Sequence, residues 1–288
     1  MSILDSLAAA LPDLPTKLAV AARFALDNPE RIAMTSMRSV ASQCGVASPT
    51  MLRLARLMNF DSYEDFKAAF QQQIVGQGFS SRAHELHKGG LDDKGSLVAR
   101  IAESAVDNVS RTLSGQSPKS DYDPKMLDAV AKVLLGAKTT YVLGAGSMHW
   151  VAALMQSTGR MALPSLRVPR SGDALMTETI GALEDKDAVL AFGISPYARA
   201  TLDALKFARE RGAKTIVLTD RRSSPLLEYA DYRMLASSRS PHYYPSFVAI
   251  VALVEALLAT VVVKGGKKTL ERIDHVEKLR EESGAFIK

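Results

Sequence analysis

The chain of 288 residues contains one cysteine, Cys44, which excludes an intramolecular disulfide framework. Its place in a periodic apolar pattern makes it a small core residue rather than a reactive thiol. No basic stretch precedes the apolar residues of the start, MSILDSLAAALPDLP, and Asp5 interrupts them, so a secretory leader is not expected and a cytoplasmic site is the default. No long apolar run is free of charge. The longest, Phe247 to Val263, carries Glu255 at its middle and reads as a buried helix, so no membrane span is expected. There is no internal repeat and no low-complexity tract. Four of the five histidines, His84, His87, His149 and His242, offer no clear pairing, His275 lies in the charged tail helix, and His84-x-x-His87 has no third ligand nearby, so neither a metal nor a cofactor is expected. Charge of one sign does not dominate: 36 Lys and Arg face 31 Asp and Glu, and the net +5 suits a nucleic-acid partner without requiring one. What remains is the composition of an ordinary soluble protein, 47% hydrophobic and 23% charged, long enough for two domains.

Residues 1–76 read as short helices only, around 17–26, 36–43, 49–58 and 62–74, with a stop at Asn28-Pro29. Residues 77–124 read as a connection: GQGFSSRAHELHKGGLDDKGS (76–96) is rich in glycine and polar residues, a helix spans about 97–113, and SGQSPKSDYDP (114–124) is a second link. From residue 125 the texture changes. Five short β-rich runs, at 139–143, 165–168, 188–192, 214–218 and 232–236, alternate with helical segments, which predicts an α/β domain with a five-stranded parallel sheet flanked by helices. The tail from Lys267 to Arg280 reads as a charged amphipathic helix, either a solvated face or an oligomer contact.

Within the first segment, a window of twenty residues from Met37 to Arg56 follows a helix-turn-helix template. Ala41 is fifth, where a small residue lets two helices cross closely, and Gly45 is ninth, where positive φ turns the chain. Val40, Cys44, Val46, Met51 and Leu54 supply the apolar positions. Ser48 is the expected N-cap of the second helix, with Pro49 at its first position. In the major groove such a helix presents Ser48, Thr50 and Arg53 to base edges, while Arg56 and Arg38 suit phosphates. From Arg31 to Asn59 there are four arginines and no acid, although residues 1–75 balance at seven basic and seven acidic residues, so the basic signal is local. The plain alternative is a helical hairpin docked on another domain.

The second constellation begins at VLGAGS (142–147), a strand running into a glycine turn and then a helix. Backbone N–H groups of Gly144, Ala145, Gly146 and Ser147, with the helix N-terminus, make a candidate anion site. A nicotinamide cofactor is not expected: the glycine pattern is shorter than GxGxxG, and the next strand ends in Val168-Pro169-Arg170 where a ribose-binding acid would stand. FGISPYARAT (192–201) brings Ser195, Tyr197, Arg199 and Thr201 to the carboxyl edge of the sheet, where open α/β folds bind ligands. Hydroxyls with a guanidinium suit a small phosphate or carboxylate, although Ser195 before Pro196 also reads as a helix cap.

These stretches, NPERIAMTSMRSVASQCGVASPTMLRLARLMNFDSYEDFK with YVLGAGS, AVLAFGISPYARATLDALKFARERGAKTIVLTD and SPLLEYADYRML, resemble the RpiR family of bacterial transcription regulators over nearly the whole chain. The family's asparagine-proline, Ser-Pro-x-Thr and aromatic features are matched by Asn28-Pro29, Ser48-Pro49-Thr50-Met51 and Phe60-Asp61-Ser62-Tyr63. The resemblance implies a helix-turn-helix domain joined to a SIS (sugar isomerase) domain in a homodimer or homotetramer, binding double-stranded operator DNA and sensing a sugar phosphate or related small metabolite. It departs at one place. The usual Ser-x-Ser-Gly-x-Thr loop is replaced by Ser195-Pro196-Tyr197-Ala198-Arg199-Ala200, which makes Arg199 the candidate for the anion contact. A sugar-phosphate isomerase with a helical oligomerisation domain is the alternative, with Glu178 and Asp173 the best candidate bases; a metabolite-binding adaptor is a third. The regulator, not an enzyme, is the expected reading.

Overall fold

The computed structural model describes residues 3–76, 78–90, 94–114, 123–169, 176–222 and 224–285. It divides into two compact units, Met1–Asp93 and Lys94–Lys288. The first is all helical: α1 (Ile3–Ala10), α2 (Thr16–Asp27), α3 (Pro29–Met34), α4 (Met37–Cys44), α5 (Ser48–Leu57), α6 (Tyr63–Gly76) and α7 (Phe79–Gly90). Helix α2 packs on α5, α3 on α6, and α4 crosses α5. Their shared core includes Ile32, Val40, Met51, Leu54, Phe66 and Phe70, all fully buried. Phe66 stands edge-on to both Phe60 and Phe70, at 5.6 and 5.0 Å between ring centroids, a favoured quadrupole geometry. Ser62 caps α6, accepting the Asp65 N–H at 3.0 Å and donating to the Asp65 carboxylate at 2.6 Å, so each end of the pair satisfies the other. Helix α7 falls where the sequence suggests a linker. The ten residues Phe79 to Lys88 contain neither glycine nor proline, and the glycines on either side bracket a helix rather than dissolve it.

The second unit runs α8 (Lys94–Leu113), α9 (Pro124–Gly136), β1 (Thr140–Gly144), α10 (Met148–Gly159), β2 (Leu166–Arg167), α11 (Met176–Thr179), β3 (Ala188–Gly193), α12 (Arg199–Glu210), β4 (Lys214–Thr219), β5 (Tyr232–Leu235) and α13 (Val248–Glu282). All five expected strands pair in parallel in the order β2-β1-β3-β4-β5. Every residue of β3 is buried, as a strand covered on both faces requires. Alternation divides the cores: Leu190, Phe192, Ile216 and Leu218 face the layer that contains α9, α10 and α13, while Val189, Ala191 and Val217 face Leu205 and Ala208 of α12. The run from Phe247 to Val263 opens α13, a helix apolar and long enough by composition to cross a membrane. Ile250, Leu253, Val254, Leu257 and Val261 instead bury one face of it in the domain core. Gly266, at φ 56° and ψ −148°, breaks α13 before its charged and mostly exposed end.

Helix α8, expected as part of a connection, packs against α13 within the second unit. The reason is polar: Asn108 and Thr112 are buried on α8 and bond the segment that follows β5. Most of the expected second link, 115–122, lies outside the described residues.

Candidate functional site

In the helix-turn-helix, Ser36 caps α4 by accepting the Ser39 N–H at 3.4 Å. The helix ends at Gly45, which takes φ 69° and ψ 28°. The Val46 N–H reaches back to the Ala41 carbonyl at 3.0 Å and the Gly45 N–H to Ser42 at 3.2 Å, the paired bonds of a left-handed helix end. Ala41 is 2% exposed at the crossing. Cys44 and Val46 pack on the core from its margin, and burial pushes the Cys44 thiol up to about 11, away from reactivity. The turn delivers α5, with one correction: its N-cap is Ala47, and Ser48 is already helical with Pro49 inside the first turn. Ser48 therefore caps nothing with its side chain; helix entry rests on Pro49, whose φ is preset. Arg38 on α4 and Arg53 and Arg56 on α5 are exposed, while Ser48 and Thr50 are half-buried. Among the described residues none of the three guanidiniums has a hydrogen bond or ion pair. Three cations held on a helix pair with no acidic neighbour in sequence are an electrostatic footprint for phosphate.

At the sheet, the winding reverses between β1 and β3, and the carboxyl ends of the strands at such a reversal are where open α/β folds have their ligand crevice. A side chain at Gly144 would strike the Met148 carbonyl, and Gly146 takes φ 57°, so the turn needs both glycines. The N–H groups of Met148, His149 and Trp150 bond the carbonyls of Ala145, Gly146 and Ser147 at 3.1 to 3.2 Å. Among the described residues the N–H groups of Gly146 and Ser147 themselves donate to nothing. Two adjacent donors at the start of α10 are suited to an anion. The Ser147 hydroxyl lies 2.9 Å from that of Tyr244.

Past β3, the loop residues separate. Ser195 and Tyr197 are half-buried at the crevice, and the Tyr197 hydroxyl donates to Asp220 at 2.9 Å. Burial, then the Asp220 charge, pushes the Tyr197 phenol well above its ordinary range, so it stays a donor. Thr201 is 1% exposed, enclosed in the first turn of α12. Arg199 turns along α12 to Asp203, at 3.1 Å, with its side chain 85% exposed. The structure thus groups Ala145 to Ser147, Ser195 and Tyr197, and leaves Arg199 outward.

Residues not singled out in the sequence complete the edge. Asp220 directly follows β4, with its side chain 2% exposed, and its second oxygen accepts from Ser238 at 3.2 Å and from the Arg221 Nε at 3.3 Å. Arg221, rather than Arg199, is the guanidinium at the carboxyl edge. Ser238 and Tyr244 belong to the segment 236–247, a strap whose other side holds α8. Ser237 donates to the Asn108 side-chain oxygen at 2.6 Å and its N–H to Thr112 at 3.0 Å, and the Asn108 amide donates to the Arg239 carbonyl at 2.6 Å. Of the candidate bases, Glu178 is exposed on α11 and Asp173 lies outside the described residues. Arrayed donors around one satisfied carboxylate are suited to holding a polar ligand.

A family model described as "Helix-turn-helix domain, rpiR family" matches residues 2–77, and one described as "SIS domain" matches residues 133–263. An HTH-type transcriptional regulator of Haemophilus influenzae is 24% identical over 215 residues, covering 74% of this chain and 72% of its own length. The regulator HexR of Escherichia coli is 22% identical over 291 residues, covering 98% and 96%. Among solved structures, the sugar isomerase domain of an RpiR transcription factor from Sphaerobacter thermophilus is 26% identical, with a TM-score of 0.58 over 63% of this chain and 98% of that one. The NanR protein of Vibrio vulnificus, solved with ManNAc-6P, is 18% identical, with a TM-score of 0.62 over 97% of this chain and 98% of that one. A helix-turn-helix unit followed by a SIS domain defines a transcriptional regulator, not an isomerase. The chain joins the two domains of RpiR-type regulators in the same order.

Proposed function

We propose that the protein reads operator DNA with Ser48, Thr50 and Arg53 at base edges and Arg38 and Arg56 on phosphates, and answers to a sugar phosphate or related anionic metabolite at the β1/β3 crevice. The observation that carries the effector reading is the pair of adjacent free N–H groups at Gly146 and Ser147. Ser147 and Ser195 suit the anion, with the basic Arg221 at the same sheet edge, while Tyr197 and Asp220 suit the hydroxyls of a sugar, as donor and acceptor. The ligand bound by the V. vulnificus protein is of this chemistry.

The response is a linkage between two sites. A ligand entering the crevice competes for the bonds of Ser238 to Asp220 and of Tyr244 to Ser147. Both belong to the strap, whose Ser237 and Arg239 are tied to α8, the first helix after the DNA-binding unit. Occupancy therefore shifts α8 through the strap. Exposed apolar side chains, Trp150 at 70% on α10 and Val98 and Val106 at 69% and 70% on α8, support a homodimer or homotetramer, whose paired recognition helices would meet half-sites about one helical turn apart.

The test is calorimetric titration of the full chain with ManNAc-6P, glucose 6-phosphate and fructose 6-phosphate beside their unphosphorylated sugars. A phosphorylated member binding at least tenfold more tightly than its sugar, and weakened in Tyr197→Phe, supports the reading. Equal binding of phosphorylated and free sugars, or none by any anion, refutes it.

A further inference from the structure

A second basic site lies at the opposite end of the sheet. Helix α10 leaves the carboxyl edge at Met148 and runs back for twelve residues, roughly 18 Å at 1.5 Å per residue, so its last turn stands near the amino-terminal end of the strands. There Arg160 at the end of α10, Arg167 in β2 and Arg272 on the distal part of α13 line one open cavity of about 590 Å³. Gln156 and Ser157 add polar groups, and Pro164, Leu166 and Val276 give it an apolar floor.

The charge is uncompensated. No lining residue is acidic, and from Gly146 to Gly172 the sequence has three arginines and no aspartate or glutamate. Among the described residues, the side chains of Arg160 and Arg272 have no hydrogen bond or ion pair. Arg167 is different: its Nη1 donates to the carbonyls of Pro164 and Leu166 at 2.7 and 2.8 Å, which fixes the guanidinium in the groove. Glu271, next to Arg272 on the helix, is instead engaged with Lys267. One guanidinium held in place and two without partners, brought from three elements to one concavity, repel one another unless an anion stands between them. Guanidinium forks match the oxygens of a phosphate group.

We propose that this groove binds phosphate groups, at a site separate from the β1/β3 crevice. Two sources carry that chemistry, the phosphodiester backbone of bound DNA and a free phosphorylated metabolite. The probes are inorganic pyrophosphate, followed by calorimetry, and a random-sequence DNA duplex, followed by anisotropy across a salt series. Both are applied to the full chain, to the double variant Arg160→Gln/Arg272→Gln and to the charge-matched Lys206→Gln/Lys214→Gln, whose lysines are exposed on α12 and β4. The variants are first required to melt with the parent, as exposed side chains predict. If the source is free phosphate, pyrophosphate binding falls at least tenfold in the arginine variant and stays within twofold in the lysine control. If the source is DNA, the slope of log K against log salt flattens by about 2 in the arginine variant alone, close to one per lost phosphate contact. Pyrophosphate bound equally by all three proteins, together with identical salt slopes, overturns the proposal.

Discussion

Gly45 joins the two helices of the helix-turn-helix, and its replacement isolates one physical term. Its φ of 69° lies in the left-handed region, and a Cβ built there meets nothing within 4 Å. No clash contributes, so the cost of a side chain is backbone strain alone, about 1–2 kcal/mol for an L-residue such as alanine. Asparagine tolerates this region better and valine, branched at Cβ, tolerates it worst. In a unit of this size 1 kcal/mol lowers the melting temperature by roughly 4–8 °C. The expected order of stability is therefore Gly45, then Gly45→Asn, Gly45→Ala and Gly45→Val, with alanine melting several degrees early. The assay is circular dichroism at 222 nm on the full chain, with tryptophan fluorescence recorded in parallel. The lone tryptophan, Trp150, sits in the second unit, so its transition should hold still while the helical signal moves. Unchanged melting in all three variants, or asparagine costing as much as valine, would refute the strain argument.

Two further outcomes are expected. Asn108→Ala removes two buried hydrogen bonds between α8 and the strap, at a net cost of about 1 kcal/mol each; hydrogen exchange should quicken together in α8 and in 237–247, and quickening in α8 alone would break the proposed link. Burial holds the Cys44 thiol at about 11 against 9.0 for a free one, so at pH 8 only about a thousandth is thiolate and iodoacetamide should react slowly until the protein unfolds. Because the folded value is the higher, the associated stability is present below pH 9 and lost as pH rises through 11. The first unit should therefore melt earlier across that window, and a flat profile would contradict the shift.

The sheet was legible because β1, β3 and β4 are buried apolar runs separated by helical segments, and β2, only two residues long, was still marked by SLRV. The template from Met37 to Arg56 was legible because Gly45 and Ala41 have backbone tasks that few residues perform. The Ser48 cap was off by one position, since Pro49 fits either of the first helical positions. Helix α7 was hidden by its flanking glycines, and α1 and α3 by their brevity. The carboxyl edge of the sheet was half legible. Asp220 stands at the carboxyl end of KTIVLTD, where the rule that placed Ser195 and Tyr197 applies equally. Ser238 and Tyr244 come from a strap far along the chain, and only the fold brings them to Asp220 and Ser147. Arg199 misleads in sequence because a charged residue beside a crevice has two directions to point, although Asp203 four residues on already offered it a helical partner.

The central claim is sequence-specific DNA recognition by α5. The most direct measurement incubates the full chain and Arg53→Ala with sheared DNA from the source organism at near-physiological salt and sequences what each retains. The account predicts enrichment of a few palindromic sites by the parent chain, with Arg53→Ala losing about 1–3 kcal/mol on those sites and far less on random DNA. Retention of no sites, or sites held equally by parent and variant, would contradict it.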